Sequence, residues 1–134
     1  MCLFCEIAQH RIPADIVYED KDVMAFLDIN PVSKGHTLLI PKKHYDDFSH
    51  CSSALVARMH GVAKRLINVY DQELHPDGYN FLSNAKETAG QSVFHVHFHL
   101  IPRYQSGDGL HLVFNGNARL RLSSNQMNAL KKPR

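Results

Sequence analysis

The sequence predicts an α+β domain built on a mainly antiparallel sheet of five strands with one long helix. Three observations carry that expectation. Short β-prone runs separated by tight turns fill the chain up to Pro41. One apolar face then repeats at spacings of three and four residues from Ser53 to Leu74. A period of two returns after it in "SVFHVHFHLIP". Strands, a helix and strands again point to an antiparallel sheet covered by the helix. The 134 residues, 44% of them hydrophobic, suit a single domain, residues 1–134, with one core.

The elements follow in order. "DIVYED" and "VMAFLDI" read as strands joined by the charged turn "EDKD". "NPVSKG" is a turn punctuated by Pro31 and Gly35, and "HTLLIP" is a third strand ended by Pro41. Leu55, Met59, Val62, Leu66 and Val69 mark the buried face of the helix, with Ser52 or Ser53 as its N-cap. "HPDG" stops it, because Pro76 and Gly78 do not continue a helix comfortably. "YNFLSNA" and "SVFHVHFHLIP" are the fourth and fifth strands, separated by the polar loop "KETAGQ". Beyond Arg103, "LHLVF" is a candidate short strand and "SSNQMNALKK" a short helix or frayed tail.

Charge narrows the partners. Fifteen basic and thirteen acidic residues leave a net charge of +2, which argues for neither a nucleic-acid groove nor a membrane surface. The longest apolar run, "VMAFL", is too short to span a bilayer, and "MCLFCEIAQHR" lacks the basic lead and apolar stretch of an export signal. Three cysteines without such a signal fit a reducing cytoplasm. Histidine, at ten copies, is the residue that stands out.

Three of the ten are His95, His97 and His99. On a strand they share one face and leave Val96, Phe98 and Leu100 on the other, under the helix. Same-face neighbours lie roughly 6.5–7 Å apart, so such a row spans a multi-oxygen anion more readily than it closes on a point. Besides a histidine-rich solvent face, two chemical readings fit. Two strand histidines can ligate one zinc. Alternatively, a neutral imidazole attacks phosphorus while its neighbours hold the phosphate oxygens.

"HVHFHLI" fits the His-φ-His-φ-His-φ-φ signature, where φ is apolar, and so resembles the histidine triad (HIT) family of nucleotide hydrolases and transferases. "AFLDI", "GHTLLIPKKH", Asn84 before the loop and "GQSVFHVHFHLIPR" occur in family order, so the likeness runs from about Leu3 to Gly109. It covers residues 1–109 as a core and leaves 110–134 as a C-terminal segment. The resemblance is nearest to the bacterial branch related to nucleoside phosphoramidases and diadenosine polyphosphate hydrolases. It implies the HIT-like fold, with a short N-terminal helix besides the long one. It also implies a two-step displacement at a nucleotide α-phosphate without a catalytic metal.

By that resemblance His97 is the nucleophile, with the His95 carbonyl fixing its tautomer. His99 donates to the phosphate and His36 is the fourth active-site histidine. Asn84, Ser92 and the backbone around Gly90 and Gln91 support the phosphate, as a glycine loop does. Asp28 binds the ribose hydroxyls, which a carboxylate can accept. Phe4, Ile7, Phe26 and Ile29 line the base pocket, although apolar residues beside strands are equally often plain core.

"CLFC" has metal-knuckle spacing, but on its own it also fits a redox pair or two incidental thiols. Some bacterial members of the family carry a structural zinc on such a pair. The positions that match here are Cys2, Cys5, His44 of "PKKH" and His95. Two thiolates would neutralise the ion, and four protein ligands would leave no open position for water. Cys51 is an ordinary residue. His10, His50, His60, His75 and His111 are surface or satisfied positions, His60 partly buried on the helix.

The competing readings are a purine-nucleotide-binding sensor without turnover and a zinc hydrolase that uses the triad as ligands. The resemblance also implies a homodimer to which the long helix and the C-terminal tail contribute.

Overall fold

The structure, a computed structural model, describes residues 2–134. Its elements are α1 (Leu3–Ala8), β1 (Ile16–Glu19), β2 (Val23–Leu27), β3 (Thr37–Pro41), α2 (Ser53–Glu73), β4 (Gly78–Leu82), β5 (Phe98–Arg103) and α3 (Ser124–Lys131). The five strands form one antiparallel sheet in the order β1-β2-β3-β5-β4. This is the α+β architecture expected from the sequence, including the short N-terminal helix.

The run "VMAFL" does not alternate in polarity because both faces of the sheet's middle are covered. Val23 and Ala25 of β2, Leu39 of β3 and Phe98 and Leu100 of β5 pack under α2 against Met59, Val62, Ala63, Leu66 and Tyr70. Met24, Phe26, Leu38 and Ile40 point the other way and pack against Phe4, Ile7 and Ala8 of α1. A strand covered on both faces reads as a continuous apolar run. Six residues are too few for an independent helix, so α1 is held by this apolar face.

Ser52 caps α2 by accepting the Leu55 N–H at 3.3 Å. The buried stripe ends on Tyr70, whose hydroxyl bonds Thr37 at 2.6 Å, and not on Val69, which is exposed.

Two further expectations are corrected. "LHLVF" forms no strand; residues 110–117 are irregular and every residue from 111 to 134 is exposed. "SSNQMNALKK" does form a helix, α3, started by a capping box between Ser123 and Gln126. The fifth strand begins at Phe98, not at Ser92. β3 pairs Leu39 with Phe98, so two residues further on Pro41 would stand opposite Val96, and proline has no N–H to continue the ladder. Val96 instead donates its N–H to the Tyr45 carbonyl at 2.7 Å.

Candidate functional site

Only His99 of the three alternating histidines lies within a strand; His95 and His97 sit in the irregular segment leading into β5, His95 in a bend. Alternation still governs the strand. Phe98 and Leu100 face α2, while His97 and His99 take the α1 face with ring centroids 5.1 Å apart. Ser83, just past β4, holds the segment by donating to the His97 carbonyl at 2.7 Å.

Hydrogen-bond partners assign the tautomers of these rings. His97 donates from Nδ1 to the carbonyl oxygen of His95 at 2.8 Å, the acceptor expected from the sequence. Its Nε2 is left as a lone pair. The backbone N–H of Val32 donates to His36 Nδ1 at 3.2 Å, so the His36 proton is on Nε2. That Nε2 lies 2.9 Å from His99 Nδ1 and donates to it, which leaves His99 with its proton on Nε2. One ring of the pair therefore offers a lone pair and the other an N–H.

Burial pushes the pKa of His36 and of His97 below the usual 6.5, and takes His99 down to about 4 with help from the neighbouring His97 and His36. The three imidazoles are neutral at pH 7. Asp28 opposes the shift: one of its carboxylate oxygens stands 3.6 Å from His36 Nε2, while the other accepts the Asn30 N–H at 2.9 Å.

His97 and His99 line a cavity of about 290 Å³ between α1 and the sheet. Phe4, Ile7, Phe26, Asp28, Ile29 and Ser92 line it too, so most of the residues singled out from the sequence meet in one place. Phe4 packs edge-on against His97 with centroids 5.1 Å apart. Ile29 is 95% exposed and forms the rim rather than the wall. His36 and Asn84 lie on the far side of His99, beside a second hollow.

The glycine loop differs from expectation in its donors. Gly90, at φ +99°, gives its N–H to Glu87, and Gln91 gives its N–H to Lys86. The buried Gln91 side chain bonds Lys86, Asp46 and Val93. These groups brace the loop, leaving Ser92 and Asn84 as its open polar side chains beside the histidines.

His95 is fully buried and turns away from that cavity. Its Nε2 donates to the Pro41 carbonyl at 2.8 Å, so Nδ1 is a lone pair. His44 donates from Nε2 to Asp46 at 2.9 Å and likewise presents a bare Nδ1. The two bare nitrogens face each other at 3.2 Å. Cys2 Sγ is 3.5 Å from His95 Nδ1, and Cys5 Sγ is 3.5 Å and 3.4 Å from His95 and His44 Nδ1.

A tetrahedral zinc, with bonds of about 2.3 Å to sulfur and about 2.0 Å to nitrogen, sets S···N near 3.5 Å and N···N near 3.3 Å. Four of the six separations in the cluster have those values, and all four ligand atoms lie within 4.8 Å of one another. Converging lone pairs repel unless a cation sits among them, and both imidazoles already have the outer hydrogen bonds that metal-ligating histidines use. The four residues therefore fit a divalent soft-metal ion.

Sequence reasoning missed Val32 and Pro41, which fix ring nitrogens through backbone groups and carry no side-chain signal. It also missed Leu3, Ile12, Pro13 and Val93 on the cavity wall. His10, His50, His60, His75 and His111 are all exposed. His60 nonetheless lays its ring against Phe81 and Phe98. Cys51 packs half-buried against the helix-side core.

A family model described as the HIT domain matches residues 9–106. An uncharacterised HIT-like protein of Methanocaldococcus jannaschii is 50% identical over 109 residues, 81% of this chain and 83% of that protein. Adenylylsulfatase HINT3 of Arabidopsis thaliana is 38% identical over 102 residues, 76% of this chain and 52% of that protein. The crystal structure of a HIT family protein from Bacillus anthracis superposes with a TM-score of 0.88 at 41% identity, covering 96% of this chain and 92% of that one.

Proposed function

Because the chain belongs to the HIT family, we propose that it is a nucleotide hydrolase or transferase acting at the α-phosphate of a nucleoside monophosphate derivative. The observation that supports this best is the pairing of opposite ring states at the cavity: a bare Nε2 on His97 beside a protonated Nε2 on His99. A neutral imidazole lone pair is a nucleophile, and an adjacent neutral N–H is a donor for the oxygen that gains charge.

In this reading His97 Nε2 attacks the α-phosphorus and the bond to the leaving group breaks, giving a nucleotidyl-histidine. Water then attacks phosphorus, the Nε2–P bond breaks, and a nucleoside monophosphate leaves. His99, held by His36, donates to a non-bridging oxygen. Asn84 and Ser92 add donors. Asp28 accepts the ribose hydroxyls at the cavity mouth, and Phe4, Ile7, Phe26 and Ile29 receive the base. The relative from Arabidopsis is named for an adenylyl substrate, which favours a purine nucleotide with a good leaving group.

The Cys2, Cys5, His44 and His95 cluster holds a zinc whose role is structural: it cross-links α1 to the segment leading into β5. Four protein ligands leave it no open position, so the reaction is assigned to the chain's own imidazoles. A homodimer, with α2 and the C-terminal segment at its interface, accounts for the exposed Val113, Phe114, Leu120 and Leu130. No helix among the described residues is long and apolar enough to cross a membrane.

The test is a side-by-side assay of adenosine phosphoramidates, diadenosine polyphosphates and adenylyl sulfate, with His97→Ala as control. Release of nucleoside monophosphate that vanishes in His97→Ala, with a nucleotidylated protein trapped in acid-free quench, is the expected result. Nucleotide binding without His97-dependent release would make the protein a sensor instead. Release abolished by chelation while the fold persists would favour zinc hydrolysis.

A further inference from the structure

The state of His99 traces back, through His36, to a part of the molecule outside the cavity that His97 and His99 line. Arg103, at the end of β5, makes a two-point ion pair with Asp108, Nε to Oδ2 at 2.9 Å and Nη2 to Oδ1 at 3.1 Å. Its remaining donors bond Asn80 at 2.6 Å and the Leu110 carbonyl at 2.8 Å. Asp108 also accepts the N–H groups of Tyr104 and Leu110. The 104–110 turn is thereby closed on itself.

That turn holds the loop between β2 and β3 at two points. Gly109 donates its N–H to the Val32 carbonyl at 2.7 Å, and the Tyr104 hydroxyl donates to the Lys34 carbonyl at 2.7 Å. The approach is close enough that a Cβ on Gly109 would meet the Val32 oxygen at 3.1 Å. Val32 is the residue whose N–H bonds His36 Nδ1.

We infer that Arg103, Tyr104 and Asp108 are positioning residues: they clamp Val32 so that its N–H selects the tautomer of His36 and, through it, that of His99. This rests on the reading of His99 as the donor to the phosphoryl group. With Val32 in place, His36 carries its proton on Nε2 and His99 is left with an outward N–H. If Val32 is released, the opposite arrangement becomes available, in which His99 donates from Nδ1 to His36 Nε2. Both His97 and His99 would then turn lone pairs towards an anion, and the donor would be lost.

Histidine-selective 15N labelling reads the ring tautomers directly in the unliganded protein. In the wild type, His36 and His99 are expected as Nε2–H and His97 as Nδ1–H. Asp108→Asn, which loses two of the four accepted hydrogen bonds, is expected to raise the Nδ1–H form of both His36 and His99 and leave His97 unchanged. Tyr104→Phe removes a single hydroxyl, keeps the ring, and is expected to do the same to a smaller extent. With a nucleotide substrate, kcat should fall about tenfold in Asp108→Asn, less than the roughly 10²–10³-fold cost of losing one oxyanion donor outright, while KM stays nearly constant. Asp108→Glu should restore part of both signals.

Wild-type tautomers in both folded variants would overturn the clamp whatever happens to the rate. A wild-type protein without turnover would overturn the functional reading alone, since the tautomers can still be measured.

Discussion

His95 serves two sites at once: its carbonyl oxygen takes the Nδ1–H of His97 at 2.8 Å, while its own Nδ1 stands 3.5 Å from the sulfurs of Cys2 and Cys5. The backbone of one residue thus orients the His97 ring, and its side chain brings that backbone up to the two cysteines. Phe4, between the two cysteines, completes the link by packing against both His95 and His97.

Removing the proposed zinc should therefore loosen the fold before it changes the chemistry. Chelation, or Cys5→Ser, is expected to lower the melting temperature by roughly 10 °C, as losing a few kcal/mol does in a domain of this size. Calorimetry with and without a chelator checks this, alongside metal content by mass. A melting temperature indifferent to both treatments would remove the zinc from the account.

His97→Ala should abolish turnover, by at least about 10³-fold in kcat, because no other group offers a bare nitrogen at that point. Binding of a nucleoside monophosphate should survive, since base and ribose contacts remain. Equilibrium binding measured beside single-turnover kinetics separates the two effects.

The pH dependence follows from burial. In the proposed reaction His97 and His99 act as neutral rings, and burial holds their pKa values below 6.5, that of His99 at about 4. They take up protons only once the pH has fallen past those lowered values. kcat/KM should accordingly be the same at pH 7 and pH 6.5 and fall only at lower pH, with His99 itself taking up its proton near pH 4. Stability bends sooner. The unfolded chain protonates these histidines near 6.5 while the folded one resists, so the fold loses stability as pH falls from about 6.5 to about 4. Urea midpoints at about pH 7 and about pH 5 should differ in that direction.

Asp28→Asn should raise KM for a ribonucleotide by about tenfold, the loss of one charge-assisted hydrogen bond. A 2′-deoxy analogue should show a smaller change, because it lacks one of the hydroxyls that the carboxylate accepts. Equal losses for both sugars would move Asp28 from ribose recognition to its electrostatic role beside His36.

Phe4→Ala should cost about 3 kcal/mol of stability, the usual scale for emptying a buried phenylalanine site. Phe4 is 5% exposed and meets Phe26 edge-on at 5.6 Å. The same change should weaken nucleotide binding, since the ring is both core and cavity wall. Urea denaturation and a binding isotherm on one preparation would show whether the two losses travel together.

Much of this site was legible in the chain. Asp28 and His36 were placed by the family resemblance, and both stand beside His99; His97 and His99 share one face as a period of two requires, because side-chain direction along extended backbone is set locally, whereas His95 turns to the cysteines. The buried helix face was legible for the same reason, apart from its last turn, where Tyr70 rather than Val69 finds a partner in Thr37. The start of β5 was not. An apolar-polar alternation extends back to Phe94, and the neighbouring strand's proline, 55 residues before Val96, stops the ladder. The donors of the 86–92 loop were misread because a glycine loop looks open in sequence, whereas here its N–H groups bond within the turn.

The sequence by itself determined which atoms are available: imidazoles on alternate positions, two thiols one helical turn apart, a carboxylate after an apolar strand. Those follow from covalent connectivity and from periods of two and 3.6 residues. Tertiary structure alone decided which nitrogen of each ring is bare. That choice depends on Pro41 reaching His95 across 54 residues and on His36 reaching His99 across 63. An imidazole has two nearly equivalent nitrogens, and the partner that breaks their equivalence arrives only when distant segments pack.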